Sequence, residues 1–561
     1  MTELQFEPPG PGTWTRENVH SPRPVPLLSA SIVTEPFREG MSRSFRRYGF
    51  LLDHLELRAV HGFVYAAARP VGAPPSATRR PPRIVLMALM RLHPDLRRRV
   101  RTAGRLFVDR PWVDDLERWD REVKPAAIAA HLALQAVDVD LLDDAALADH
   151  LDRCIDHARR MITQHHDFTA AAIVPVADFM ANSSRWTGRP FGDVLSLMQG
   201  TSSVSRAWAD GLDRVVDAIR ADEEGRRLLH AGGEAGKVLD RLRQRPAPTG
   251  PAVDHWLRHV GTRLVDGLDL GCPTALEVPE VLVKCLQASV ATGAAGEGEG
   301  VAERTKAVRD DVPPEDHDEF DRQLADARAL YRIRDERGVY SDSWGSGILR
   351  RAVLQAGQRL TARGRVDAPD HLLETTPEEL RAVVSGTGGP EAAELARRAG
   401  QRAELHSYEP PAVLGPPAAP PPPVEWIPAR ARRLATAVGL FLGNMFTPPD
   451  VANDAAVVRG TAASPGVREG TARVMRDSFD FVRVEEGDVL VMPTTTESCN
   501  VVVPLLAAIV TDHGGPVSHA AIVAREAGIP AVVGCADATR AIPDGARVRV
   551  DGDTGEVTIL P

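Results

Sequence analysis

Lysine is nearly absent from this chain. It stands only at Lys124, Lys237, Lys284 and Lys306, so arginine supplies almost all the positive charge. The formal net charge is -10, which speaks against a general nucleic-acid binder, since that role needs a basic surface. The arginine bias fits a GC-rich coding sequence better than a function. Cysteine is scarce too, at Cys154, Cys272, Cys285, Cys499 and Cys535, with no C-x-x-C pair. Neither a metal site nor a disulfide framework is indicated, and a reducing cytoplasm is the expected compartment. No stretch reaches the ~20 apolar residues of a membrane span. The acidic, proline-rich start lacks the basic and apolar segments of a secretory signal. There is no repeat at solenoid periods and no Gly-x-x-x-x-Gly-Lys-Ser/Thr phosphate loop.

What is present is an ordinary globular composition, 43% hydrophobic and 26% charged over 561 residues, enough for more than one domain. The strongest boundary is Glu409–Pro423, with an unbroken proline run from Pro420 to Pro423. Such a stretch favours extended polyproline II and suits a semi-rigid spacer. Before it the chain reads as helical. Residues 125–160 show helical spacing in Ile128, Leu132, Val137, Leu147 and Leu151. Residues 203–245 are amphipathic and broken at Gly232-Gly233, and 316–335 and 345–363 repeat the pattern. Residues 292–304, rich in Gly, Ala and Glu, read as a loop. After the spacer, 429–443 reads as a short helix, and strand-rich sequence begins near Val457. The expected organisation is a mainly helical domain over 1–408, a linker and connecting helix over 409–455, and a small α/β domain over 456–561.

The most informative run is Thr511-Asp512-His513-Gly514-Gly515-Pro516-Val517-Ser518-His519-Ala520-Ala521-Ile522-Val523-Ala524-Arg525-Glu526. An apolar segment, Leu505 to Val510, ends in a Gly-Gly turn, and a helix opens at Ser518 with His519 in its first turn. Glycines there permit positive φ and close backbone approach. The helix start offers unpaired N–H groups and the positive dipole end to an anion. An imidazole in that position is a competent nucleophile whose phosphoryl adduct the helix end stabilises. The competing reading is a plain strand–turn–helix crossover with a satisfied histidine.

This run resembles the phosphohistidine swivelling domain of the dikinase-like enzymes that include pyruvate phosphate dikinase, phosphoenolpyruvate synthase, rifampin phosphotransferase and phenylphosphate synthase. Around it, 463–466 through 470–474 looks like the opening hairpin of that domain. Gly487 to Val491 looks like a strand leading to Thr494-Thr495-Thr496-Glu497, and 548–552 with 555–559 like the closing hairpin. The resemblance implies that His519 carries the phosphoryl group, with Thr511, Gly514, Gly515 and Ser518 stabilising it. Some relatives have a regulatory threonine two residues before the histidine. Val517 stands there in this chain, so that control is expected to be missing.

The helical half resembles the acceptor-binding half of rifampin phosphotransferase and of the phenol- and alkylphenol-phosphorylating synthases. The carrying stretches are Gly261-Thr262-Arg263 with Cys272-Pro273-Thr274, Arg332 to Arg337 running on to Trp344-Gly345, and Gly357-Gln358-Arg359. No ATP-grasp region is legible. The resemblance therefore implies a separate ATP-grasp-type subunit that binds ATP and Mg²⁺, charges His519 and releases AMP and phosphate. No cofactor or metal is expected on this chain itself.

Arg334 and Arg337, flanking Asp335, are candidates to grip the transferring phosphate. Their alternative is a solvated helix end with local ion pairs. His165 and His166 are candidates for the base that takes a hydroxyl proton, or else a surface pair at a helix end. Arg263 and His20 are weaker candidates; the alternative for Arg263 is a structural ion pair, and His20 reads first as a loop anchor. Gln199-Gly200-Thr201-Ser202-Ser203 reads as a helix cap and turn. A phenol or alkylphenol ranks first as acceptor and a rifamycin-type antibiotic second. A phosphocarrier or regulatory protein without catalysis ranks third.

Overall fold

The computed structural model describes residues 4–17, 20–201, 211–265, 269–292, 300–446, 456–475 and 478–561. The architecture is multidomain, mainly α-helical, with a small α/β domain at the C-terminal end. Two compact units are built from interleaved segments. One comprises Met1–Val174, Leu268–Gly271 and Tyr340–Ala437, the other Pro175–Gly267, Cys272–Val339 and Val438–Pro561. Much of the helical half, from 175 to 339, thus folds in one unit with the C-terminal sheet. Among the described residues no helix is long and apolar enough to cross a membrane.

The first unit carries long helices, Leu27–Tyr48, Asp144–Asp167 and Trp344–Ala362. The spacing over 125–160 resolves into two helices, Lys124–Gln135 and the start of Asp144–Asp167, because Asp143 caps the second by accepting from the Ala146 N–H at 2.8 Å. Against these helices lies an antiparallel sheet of β1 (Trp14–Arg16), β2 (Leu52–Val60), β3 (Phe63–Pro70) and β4 (Val413–Leu414), in the order β2-β3-β1-β4. No strand was expected here.

β4 changes the reading of the proline-rich segment. Val413 and Leu414 pair with Thr15 and Trp14. Leu414 is buried among Trp14, Phe63, Tyr65 and Ala67. Tyr65 donates its hydroxyl to Pro411 O at 2.9 Å, and Thr13 donates to Pro416 O at 2.6 Å. Residues 411–416 are thus fastened to the N-terminal sheet, in part through backbone carbonyls that proline leaves available. The helix after it spans Ala429–Phe446. Residues 447–455 of the expected linker lie outside the described residues, as do 293–299 of the expected loop.

In the second unit the C-terminal domain is an eight-stranded sheet of β5 (Val457–Arg459), β6 (Thr461–Ser464), β7 (Val467–Val474), β8 (Asp488–Met492), β9 (Leu506–Thr511), β10 (Ala531–Val533), β11 (Arg547–Asp551) and β12 (Glu556–Ile559). The order is β5-β12-β11-β7-β8-β9-β10-β6. The closing hairpin is present, with Val548 opposite Ile559. The opening hairpin is not: β6 pairs with β10, and β7 pairs with β11 and β8. The turn at Pro465-Gly466 sends the two strands to separate neighbours.

Side chains alternate across the sheet, as a period of two requires. Val489 and Val491 of β8, with Ala508 and Val510 of β9, face a core closed by Ala538 and Ile542. Leu490, Met492 and Ile509 face the opposite core, shared with Ala520 and Val523 and with Val216, Trp256 and Leu282 of the helical segments. Lys284 joins these layers, donating to Val482 O and Val484 O at 2.8 Å each.

Candidate functional site

β7, β8, β9 and β10 run parallel. A parallel pair needs a crossover, and the helix His519–Ala527 supplies it between β9 and β10. His519 therefore sits beyond the carboxyl ends of the strands, where ligands of open α/β sheets bind. The turn before it is held by Gly514, whose φ is 113 and at which a Cβ would lie 2.9 Å from Ser518 Cβ and Oγ. Thr511 Oγ1 donates to His513 O at 2.8 Å, and Ser518 N donates to Gly515 O at 2.9 Å. Ser518 caps the helix by accepting from Ala521 N. Thr511, Gly514, Gly515 and Ser518 thus shape the turn and the helix start.

The imidazole is 7% exposed. Thr495 Oγ1 lies 2.9 Å from Nδ1, and Asn500 Oδ1 lies 2.9 Å from Nε2. Thr495 follows β8, and Asn500 lies on the short turn Glu497–Val501 between β8 and β9. Each ring nitrogen thus has a polar partner, the Thr495 hydroxyl at Nδ1 and the Asn500 amide at Nε2. Whichever nitrogen takes up a phosphoryl group must first give up one of these bonds.

Two further residues of the run have structural work. Arg525 is buried and donates to Ala463 O, to Pro516 O at 2.8 Å and to Tyr331 OH at 3.1 Å. The guanidinium ties the loop before His519 to the helix His317–Tyr331. Glu526 accepts from Gly200 N at 2.9 Å, so the turn at Gln199-Gly200 reaches the helix His519–Ala527. Ser202 and Ser203 lie outside the described residues. Burial pushes the Asp512 carboxyl up, against its bonds from Thr539. It pushes the Tyr331 hydroxyl up as well, against the charges of Arg525 and Arg334. Cys499 and Cys535 are buried, and burial raises the Cys535 thiol.

Residues 484–555 match the mobile domain of the PEP-utilising enzymes, with this histidine, its turn and the strands β8, β9 and β10 inside the match. Residues 165–335 match the fourth domain of rifampicin phosphotransferase. Over those two stretches the chain is similar to the PEP-utilising, dikinase-like proteins. The chain is 28% identical to a rifampicin phosphotransferase of Streptomyces sviceus over 77% of its own length and 48% of that protein. It is 26% identical to chondramide synthase of Chondromyces crocatus over 98% of this chain and 14% of that one. It is 46% identical to a probable phosphoenolpyruvate synthase of Archaeoglobus fulgidus over 18% of this chain and 13% of that one. The chain thus spans less than half the length of these curated relatives. An NMR structure of Enzyme I aligns at 15% identity over 51% of this chain and 73% of its own, with a TM-score of 0.15 that supports no inference.

The other candidate residues fall in two places. Arg334, Asp335 and Arg337 occupy the short helix Ile333–Arg337 of the second unit. Asp335 is buried, and Arg334 and Arg337 are partly so. The Arg334 guanidinium lies 5.8 Å from the Phe441 ring. Arg332 pairs with buried Glu336 at 2.9 Å, so this stretch is more enclosed than a solvated helix end. Arg263, in the same unit, is buried at the Leu264–Thr274 bridge.

In the first unit, His165 and His166 close the helix Asp144–Asp167. They are not a surface pair. His165 is 6% exposed, and its Nδ1 lies 2.9 Å from Asp342 Oδ2. His166 packs on Phe37 with ring centroids 4.1 Å apart. The same turn of helix gives Thr163, Gln164 and Asp167 to a cavity of about 780 Å³ that also takes in Arg43, Arg118, Arg159 and Arg160. Burial lifts Asp167 to about 6 despite the Arg43 charge. His20 rests on Glu17, Nδ1 to Oε1 at 3.0 Å, as a loop anchor. Sequence reasoning missed Asn500, Arg525 and Asp342 as partners. For Arg525, its place one helical turn beyond Ala521 and Ile522 was the one available signal.

Proposed function

We propose that this chain is the phosphocarrier and acceptor-binding component of an ATP-dependent phosphotransferase. His519 takes a phosphoryl group from ATP held with Mg²⁺ by an ATP-grasp-type partner, and passes it to the hydroxyl of a small aromatic compound, a phenol or alkylphenol. The observation that carries this reading is His519 itself, set at a helix start beyond parallel strands within the matched mobile domain.

In the first half-reaction a ring nitrogen of His519 attacks the β-phosphorus of ATP as the P–O bond to AMP breaks, and water then cleaves the terminal phosphate from the pyrophosphoryl adduct to leave the phosphorylated ring. The helix N–H groups and the turn offset the added negative charge. In the second, the acceptor oxygen attacks phosphorus, the N–P bond breaks, and the imidazole returns to its neutral form. A base takes the hydroxyl proton, and His165, oriented by Asp342, is assigned to it. Arg334 and Arg337 are assigned to the phosphate, because transfer depends on positioning and charge stabilisation.

A rifamycin-type hydroxyl is the second reading for the acceptor. It is favoured by the match of 165–335 to the rifampicin phosphotransferase fourth domain.

The test is phosphohistidine mass spectrometry after incubation with Mg-ATP, with and without an ATP-grasp subunit, followed by chase with phenols and a rifamycin. Label on His519 that passes to a phenol supports the first reading. Passage to the rifamycin alone selects the second. Charging by ATP in the purified chain without a partner overturns the requirement for a separate subunit. Label that no hydroxyl compound removes overturns the transferase reading in favour of a phosphocarrier.

A further inference from the structure

We infer that His165, His166 and Asp342 form a site for a divalent transition-metal ion, of the class to which Zn²⁺ belongs. Each of the three offers a ligand atom, and these atoms all lie within 4.8 Å of one another. His165 Nδ1 is already 2.9 and 3.0 Å from the two Asp342 oxygens. Ligands around a tetrahedral ion at ~2.0–2.1 Å stand about 3.4 Å apart, so closing the group asks for a shift of roughly 1 Å.

Several features hold the donors there. Asp342 comes from the π-helical turn Gly338–Ser343, and such turns are frequent at functional sites. Its Oδ1 accepts the Ser343 N–H at 3.1 Å, and neighbouring Ser341 accepts from Gln164 at 2.9 Å. These are the outer contacts that orient ligands. On the other side the helix Leu27–Tyr48 presses in at Gly40. A Cβ there would meet His166 Cβ at 2.8 Å and Thr163 O at 2.3 Å. Glycine at that position lets the backbone close on the histidine pair. Phe37 and Thr169 also flank His166, with Thr169 Oγ1 3.4 Å from Nδ1.

Two neutral imidazoles and one carboxylate suit Zn²⁺ or Fe²⁺, whereas Mg²⁺ and Ca²⁺ favour oxygen sets. Three protein ligands leave a position open, as in catalytic sites. The use of that position rests on the proposed acceptor reading. An acceptor hydroxyl bound there would lose its proton to solvent more readily, and the ion would replace His165 as the activating group.

The test needs neither ATP nor acceptor, so failure of the ion site and failure of the transferase reading are separate results. The full chain, stripped with chelator, is titrated with Zn²⁺ by calorimetry and with Co²⁺ by visible absorption. One ion per chain is expected. Asp342→Asn and His166→Gln, which keep size and hydrogen bonding, are each expected to weaken binding by ~100-fold or more, through loss of a ligand. Thermal melts by circular dichroism establish that both variants fold. Absence of saturable binding in the parent chain, or unchanged affinity in both folded variants, overturns the site.

Discussion

Arg525 donates to the hydroxyl of Tyr331 at 3.1 Å and to the carbonyl of Pro516 at 2.8 Å, with both side chains buried. One guanidinium thereby fixes the loop that ends at His519 and fastens it to the helix His317–Tyr331. Tyr331→Phe removes one acceptor and leaves the shape intact. A hydrogen bond to a charged group contributes about 1.5–3 kcal/mol, so urea unfolding should show a loss of that order. Amide exchange over 511–527 should quicken with it. An unchanged midpoint and unchanged exchange would show that the bond fastens nothing.

His519 should be the phosphorylated residue, and Thr495 and Asn500 should set its reactivity. His519→Ala is expected to abolish label. Thr495→Val and Asn500→Ala each remove one polar partner of the ring. The rate of charging should change by about 10-fold, the equivalent of a bond of ~1.4 kcal/mol. Rapid-quench labelling measures it, and rates equal to the parent in both variants would deny them the role.

Arg334→Ala and Arg337→Ala should slow transfer to the acceptor by about 10-fold or more, as loss of a charge-assisted phosphate contact implies. Charging of His519 should remain. Single-turnover chase of pre-labelled protein separates the two steps, and equal loss in both would point to a structural role.

His157 makes stability depend on pH. Its Nε2 lies 2.9 Å from His131 Nδ1, whose ring stacks on Trp344 at 4.6 Å. Burial, aided by the Arg160 charge, holds the ring down at about 4. The folded state therefore binds fewer protons than the unfolded chain between that value and the ordinary ~6.5. The contribution is fully present above about pH 6.5 and is lost as pH falls towards 4, by at most ~3 kcal/mol. The difference between parent and His157→Gln in chemical denaturation should shrink across that window. A constant difference from pH 7 to pH 4.5 would refute the assignment.

Leu414 should behave as core and not as linker. It is 4% exposed in the cluster with Trp14 and Tyr65, so Leu414→Ala should cost about 2–5 kcal/mol in the unfolding of the first unit. Val413→Ala, at an exposed position, should cost much less. Two small and equal effects would restore the reading of a semi-rigid spacer.

Local signals made the His519 segment legible. A Gly turn, a Ser cap, helical spacing and alternating valines act within a few residues of chain, so they can be read in order along it. The same holds for the closing hairpin and for most helices, whose apolar stripes repeat at a fixed period. Beyond those distances the sequence is silent. Thr495 and Asn500 stand 24 and 19 residues before His519 and meet it only because β8 and β9 run parallel, which forces the chain to return and brings their carboxyl ends together. β6 and β7 looked like one hairpin, yet each found a better partner elsewhere in the sheet, since pairing is decided by the whole hydrophobic face. Asp342 meets His165 across 177 residues, and Leu414 meets Trp14 across the length of its unit. Burial drives those meetings. Any apolar surface of the right shape gains by leaving water, and nothing in a linear pattern says which one it will find.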